Sequence, residues 1–140
     1  MAAFNKFNSF VEALAEKVHN LGSDTLKVML TNTAPVATNT IKANLTEISA
    51  GNGYTAGGNT ATVTSSAQTS GTYKLVLGDP ATWTASGGSL GPFRFAVLYN
   101  DTATNDELIG WWDYGSSITL ASGESFAVDV DPTTGVLTLA

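Results

Sequence analysis

His19 is the single histidine in 140 residues, and histidine is the side chain that ordinarily titrates near neutral pH. A Ser/His/Asp relay would have to bring it to a serine held elsewhere. Its place near the end of an apolar-periodic run fits a simpler role, a cation suited to a helix C-terminus. The chain has no cysteine, which removes thiolate nucleophiles, disulfides and thiolate zinc sites. One histidine without thiolates does not make the usual transition-metal ligand sets. Asp101, Asp106, Glu107 and Asp113 crowd together, and paired-carboxylate hydrolysis would need two of them across a groove. Their Thr- and Asn-rich surroundings read instead as a solvated loop. Asn100–Glu107 could offer oxygens to Ca²⁺, yet it lacks the alternating acids, mid-loop glycine and closing glutamate of an EF-hand. The loop Gly51–Gly58 holds four glycines. It lacks the Gly-Lys-Ser/Thr ending of a phosphate loop, so it is expected to be a close-packed bend anchored by Tyr54. Trp83, Trp111, Trp112 and Tyr114 have the chemistry of a sugar-stacking groove or a docking surface. Because neighbours on a strand face opposite ways, one of Trp111 and Trp112 is expected inside and the other exposed. No catalytic residue, cofactor or metal site is expected.

The elements that must position these residues change character after residue 22. Phe4, Phe7, Val11, Leu14, Val18 and Leu21 are spaced as the apolar stripe of a helix, widened by Phe10 and Ala13. The spacing predicts an amphipathic helix of ~16 residues within 1–22, with Lys17 and His19 in its last turn and Gly22 as its stop. From Thr25 on, short runs alternate with turn residues. Strands are expected at Thr25–Thr31, Thr60–Ser65, Tyr73–Leu77, Ala81–Ala85, Phe93–Tyr99, Leu108–Asp113, Ser117–Leu120, Phe126–Val130 and Val136–Leu139, with a helical turn near Asn44–Ile48. This predicts a mainly β chain in one domain, 1–140: helix within 1–22, then an antiparallel β-sandwich or jelly-roll-like array of about eight or nine strands over 25–140. The many large apolar groups suggest self-association, with Phe4, Phe7, Phe10, Trp111 and Trp112 as the expected interface.

Composition agrees. Charged residues are 13% of the chain, about half the usual share. The sequence holds 20 Thr, 12 Ser and 14 Gly in their place. Residues 1–74 carry five Lys against four acids, and residues 75–140 carry Arg94 alone against eight acids. With no basic stripe, neither nucleic acid nor an anionic membrane is an expected partner. No secretory signal is legible at the N-terminus, so synthesis in a cytoplasm is expected.

The segments Gly91 to Asp101, Leu108 to Gly115, Ser117 to Leu120 and Gly123 to Phe126 resemble a module of small virion proteins of tailed bacteriophages. Leu26 to Asn32 and Gly51 to Gly58 resemble the first half of the same proteins. In size and make-up the chain is most similar to capsid decoration, or cement, proteins. That resemblance implies a non-enzymatic structural protein of the virion, a dimer or trimer that binds the major capsid protein and stabilises the icosahedral head. A tail or baseplate subunit, or a receptor- or glycan-binding virion module, is the alternative. Such proteins share no motif of functional residues, so none is carried over. On charge alone, the near-neutral first half is expected to dock and the acidic half, with Asn100–Glu107, to face solvent.

Overall fold

In the computed structural model, which describes residues 2–140, the apolar runs become ten strands in antiparallel sheets. Along the chain these are β1 (Asn5–Lys6), β2 (Leu26–Thr31), β3 (Asn59–Thr60), β4 (Val63–Thr69), β5 (Thr72–Leu77), β6 (Trp83–Thr84), β7 (Leu90–Asn100), β8 (Leu108–Leu120), β9 (Ser125–Phe126) and β10 (Leu137–Leu139). One helix, α1 (Ser9–Ala15), follows β1, and a single 3-10 turn covers Lys42–Asn44. The large sheet runs β1-β8-β7-β2-β3; the others are β10-β5-β4 and β6-β9. The mainly β, antiparallel character and the N-terminal helix agree with the sequence reading.

The helix is much shorter than its apolar stripe. Phe4 to Phe7 is extended, and Asn5 and Lys6 pair with Trp111 and Gly110 on β8. Gly110 has no side chain because the Phe4 ring occupies the space: a Cβ there would lie 2.2 Å from Phe4 Cζ. At the other end α1 stops six residues before Gly22. Val18 N–H donates to Ala13 O (2.8 Å) and Lys17 N–H to Leu14 O (3.3 Å), while Lys17 takes a φ of 68°. These are the two bonds of a Schellman stop, with a lysine where glycine is usual. Lys17 and His19 therefore lie beyond the helix, with no basic residue in its last turn. Val11 and Val18, on the predicted stripe, are exposed.

Two apolar clusters cover the two faces of the large sheet. The main one joins Val28 and Leu30 of β2, Leu98 of β7 and Ile109 of β8 to Leu75 and Leu77 of β5, Trp83 of β6 and Phe10 of α1. The second gathers Phe7, Met29, Leu45, Phe95, Val97, Tyr99 and Leu108. In β2 Leu26, Val28 and Leu30 alternate with Lys27 and Met29, which alone would bury one face. The strand is covered on both sides because Phe7 and Leu45, from segments without long strands, close over Met29. Each fully buried side chain of this size contributes ~1.5–3 kcal/mol.

Other boundaries moved for local reasons. The two strands expected at Leu108–Asp113 and Ser117–Leu120 are one, β8, which runs through Gly115. Its pairing with β7 shifts register at three places, and the shift between Leu98 and Tyr99 turns Ile109 towards the main core. Of the strand expected at Phe126–Val130, only Phe126 pairs, as part of β9. Beyond it the chain is held by Val130 N–H donating to Asp79 Oδ1 (2.7 Å). Asp129 and Asp131 are therefore not on a strand face. Asp131 caps a turn, accepting from Thr133 N–H (2.7 Å) and Thr134 N–H (3.2 Å).

Candidate functional site: an aromatic groove

Strand alternation along β8 puts Trp111 on the second cluster and Trp112 and Tyr114 on the opposite face. Trp111 packs against Phe7, ring centroids 4.6 Å apart, and Trp112 against Phe4 at 5.1 Å. Ala96 lies opposite Trp112 in the β7–β8 pairing. Its small side chain leaves a depression between β8 and the segment 126–129. The resulting groove of about 240 Å³ is lined by Ala2, Arg94, Ala96, Trp112, Tyr114, Phe126, Ala127, Val128 and Asp129. Tyr114 is 56% exposed. Its ring meets Phe126 edge-on at 5.7 Å, and Phe126 is held in turn by Phe93 at 4.9 Å and Trp83 at 6.2 Å. The aromatic wall is thus rooted in the main core.

Arg94, which lines the groove, is tied to Asp113 on the other face of β8, the side of Trp111 and Phe95. Arg94 Nε donates to Asp113 Oδ1 (2.8 Å) and Nη2 to Oδ2 (2.9 Å). Gly115 N–H also donates to Oδ1 (2.8 Å). The Arg94 bonds, then the Gly115 amide, hold the Asp113 carboxyl below its ordinary range, and the carboxylate raises Arg94 in return. Both remain charged across the neutral range, so neither is poised to move a proton. The groove offers aromatic faces, an arginine whose charge is already paired, and the Asp129 carboxylate.

The Gly51–Gly58 loop is the close-packed bend the sequence indicated. A Cβ on Gly58 would sit 1.9 Å from Val28 O. Tyr54 is buried; its hydroxyl donates to Glu47 Oε1 (2.6 Å) and accepts from Leu30 N–H (3.1 Å). Glu47 also accepts from Gly57 N–H (2.6 Å) and Lys42 Nζ (2.9 Å). Burial, then the Glu47 hydrogen bond, push the Tyr54 hydroxyl far above its usual pKa. The network ties loop to sheet, and both carboxylate oxygens already accept within it.

His19 is buried, with Nδ1 3.0 Å from Asn100 Nδ2. That amide also donates to Asp24 Oδ2 (2.7 Å), so Nδ1 is assigned as acceptor and Nε2 carries the proton, without a partner. The fully buried Asn100 accepts from Thr102 and Ala103 N–H through Oδ1. It closes the loop from inside and presents no oxygen outward. Asp101 pairs with Lys27 (3.3 Å), and Glu107 accepts from Asn105. Among the described residues no three His, Cys, Asp or Glu side chains gather in a metal-holding group.

Of the five expected interface residues, Phe7 and Phe10 have no exposed surface. They pack inside their own chain and are unavailable to a second one. Phe4 and Trp111 are half-buried behind their partners, and Trp112 alone of the five lines the groove. Tyr114, weighed with the tryptophans, joins it, whereas Trp83 is core. Phe126 and Arg94 were missed. Arg94, the single cation after residue 74, was the available signal. Phe126 had none, since its neighbours across the groove, Tyr114 and Trp112, come from another strand, β8. Comparison with protein-family models, curated proteins and solved structures returns no match.

Proposed function

We propose that this chain is a structural protein of a tailed-phage particle. In this reading it is a decoration protein that binds the major capsid protein on the assembled head, acts as a dimer or trimer, and stabilises the shell without catalysis or cofactor. Its finer architecture belongs to the same reading: the β1-β8-β7-β2-β3 and β10-β5-β4 sheets, which both feed the main core, are the layers of a jelly-roll-like sandwich. The resemblance of Gly91 to Phe126 to virion proteins supports the setting. The groove of Trp112, Tyr114 and Phe126 carries the docking. Rigid aromatic anchors beside an arginine held by its own ion pair suit a binding hot spot, and they are pre-ordered, so little side-chain freedom is lost on contact. A ligand of the folded shell alone raises the shell's stability by mass action, and an oligomer bridging two capsomers multiplies the effect.

The test is heat-driven DNA release from particles lacking the protein. Release is expected at lower temperature, restored by adding back the wild-type chain and not by Tyr114→Ala. Quantitative mass spectrometry of purified particles should find many copies. A second reading rests on the same groove: exposed aromatic surface beside Arg94 and Asp129 also suits a sugar ring. Particles equally heat-stable without the protein, yet unable to adsorb to host cells, would reject decoration and favour that glycan-binding role.

A further inference from the structure

We propose that β4 is the edge along which two copies of this chain join, antiparallel about a two-fold axis, making one six-stranded sheet from two three-stranded ones. β4 lies at the open side of β10-β5-β4. Its seven residues make it the longest edge strand among the described residues; β1 and β3 have two residues each and β10 has three. Every residue from Thr64 to Thr72 is exposed.

Hairpin geometry says which backbone groups are free. Ser70 (φ 50°) and Gly71 (φ 84°) form a two-residue turn that closes the Thr69–Thr72 pair. Both left-handed positions mark a type I′ turn. In such a hairpin the pair beside the turn exchanges hydrogen bonds and alternate pairs do not. Gln68↔Tyr73 and Ser66↔Leu75 are the alternate pairs, so the amides and carbonyls of Ser66 and Gln68 point away from β5. No hydrogen bond from another segment takes them up.

Proteins ordinarily guard such an edge with Lys, Pro or an inward charge. This one has none: Asn59 to Tyr73 contains no charged residue and no proline. The register irregularity is confined to Val63–Ser65 and leaves Ser65–Thr69 regular. Absence of charge also selects the partner. In a chain of net charge −6, a neutral stripe is where two copies approach without repulsion, while a strongly charged partner gains nothing there. An antiparallel strand pair is self-complementary about a two-fold axis. A single edge-to-edge strand pair is a narrow contact, so the isolated dimer should be weak and build up with concentration.

This inference deepens the self-association in the proposed function and is independent of the particle. Sedimentation velocity on the full chain, at concentrations up to ~1 mM, should show a reversible monomer–dimer equilibrium. Ala67→Lys places two like charges across the axis, and Gln68→Pro removes an outward amide. Each should weaken association at least ~10-fold while circular dichroism stays unchanged. Hydrogen exchange at the Ser66 and Gln68 amides should slow as wild-type concentration rises. That readout decides the matter even if a variant misfolds. A wild-type monomer at every concentration, or a dimer that persists in both folded variants with no slowing at Ser66 and Gln68, overturns the inference. Either result leaves the particle heat test to stand or fall alone.

Discussion

At the residue scale, the sequence showed a histidine and the fold decides its work. Burial lowers the His19 pKa below its ordinary 6.5, against the smaller opposing pull of Glu107 and Asp24. The unfolded chain therefore binds a proton on this residue at a higher pH than the folded chain does. Stability is complete above pH 6.5 and is lost as pH falls below it, until the folded histidine also protonates. Protonation also conflicts with the hydrogen bond that Asn100 donates to Nδ1. Melting temperature should drop between pH 7 and pH 5.5 in the wild type, and that step should vanish in His19→Gln. A step that survives the substitution would assign it elsewhere. The opposite orientations of Trp111 and Trp112 were legible because period-two alternation is local, but both rings are half-buried, not one inside and one exposed, because Phe7 and Phe4 cover them. The burial of Phe7 and Phe10 on opposite sides of the large sheet was not, because residues three apart satisfy a helical stripe whether or not a helix forms. The neighbours that separate them lie some 100 residues away in sequence.

At the scale of elements, the strands at β2, β5, β7 and β8 were readable, whereas β1, the break that divides Thr60–Ser65 between β3 and β4, and the helix end were not. Gly22 offered the usual stop signal, but α1 ends where Lys17 turns left-handed. A side chain in that conformation costs ~1 kcal/mol or more, and glycine avoids the cost while giving back part of it as unfolded-state entropy. Lys17→Gly should therefore raise stability by ~0.5–1 kcal/mol in denaturant titration. A loss of stability would mean that the lysine stem contributes more by packing than its backbone costs. The strand expected at Phe126–Val130 shows a second limit. Val128 and Val130 alternate as strand residues should, yet strand character needs a neighbouring edge, and Val130 N–H goes instead to the Asp79 side chain.

At the scale of the whole molecule, the split between a near-neutral first half and an acidic second half does not become two faces. β2 from the first half lies between β3 and β7, so charges from both halves meet in space. Lys27 pairs with Asp101. Residues 1–74 therefore do not form a face of their own. The groove takes Ala2 from one half and its other lining residues from the other. Mainly β character was legible from composition, because Thr, Ser and Gly bias the backbone locally. The order of strands was not, because it depends on pairings between distant segments. That sheet order also sets a timetable. β4–β5 and β7–β8 join strands next to each other in the chain, whereas Asn5 reaches Trp111 across 106 residues. Closing so long a loop is entropically costly, so a chain of this topology should refold on a scale of ~milliseconds to seconds. The amino-terminal arm, resting on the rim of a sheet that other strands must first assemble, should dock after the rate-limiting barrier. Phe7→Leu would then speed unfolding in a chevron measurement and leave the refolding limb in place. A slowed refolding limb would put the arm in the nucleus instead.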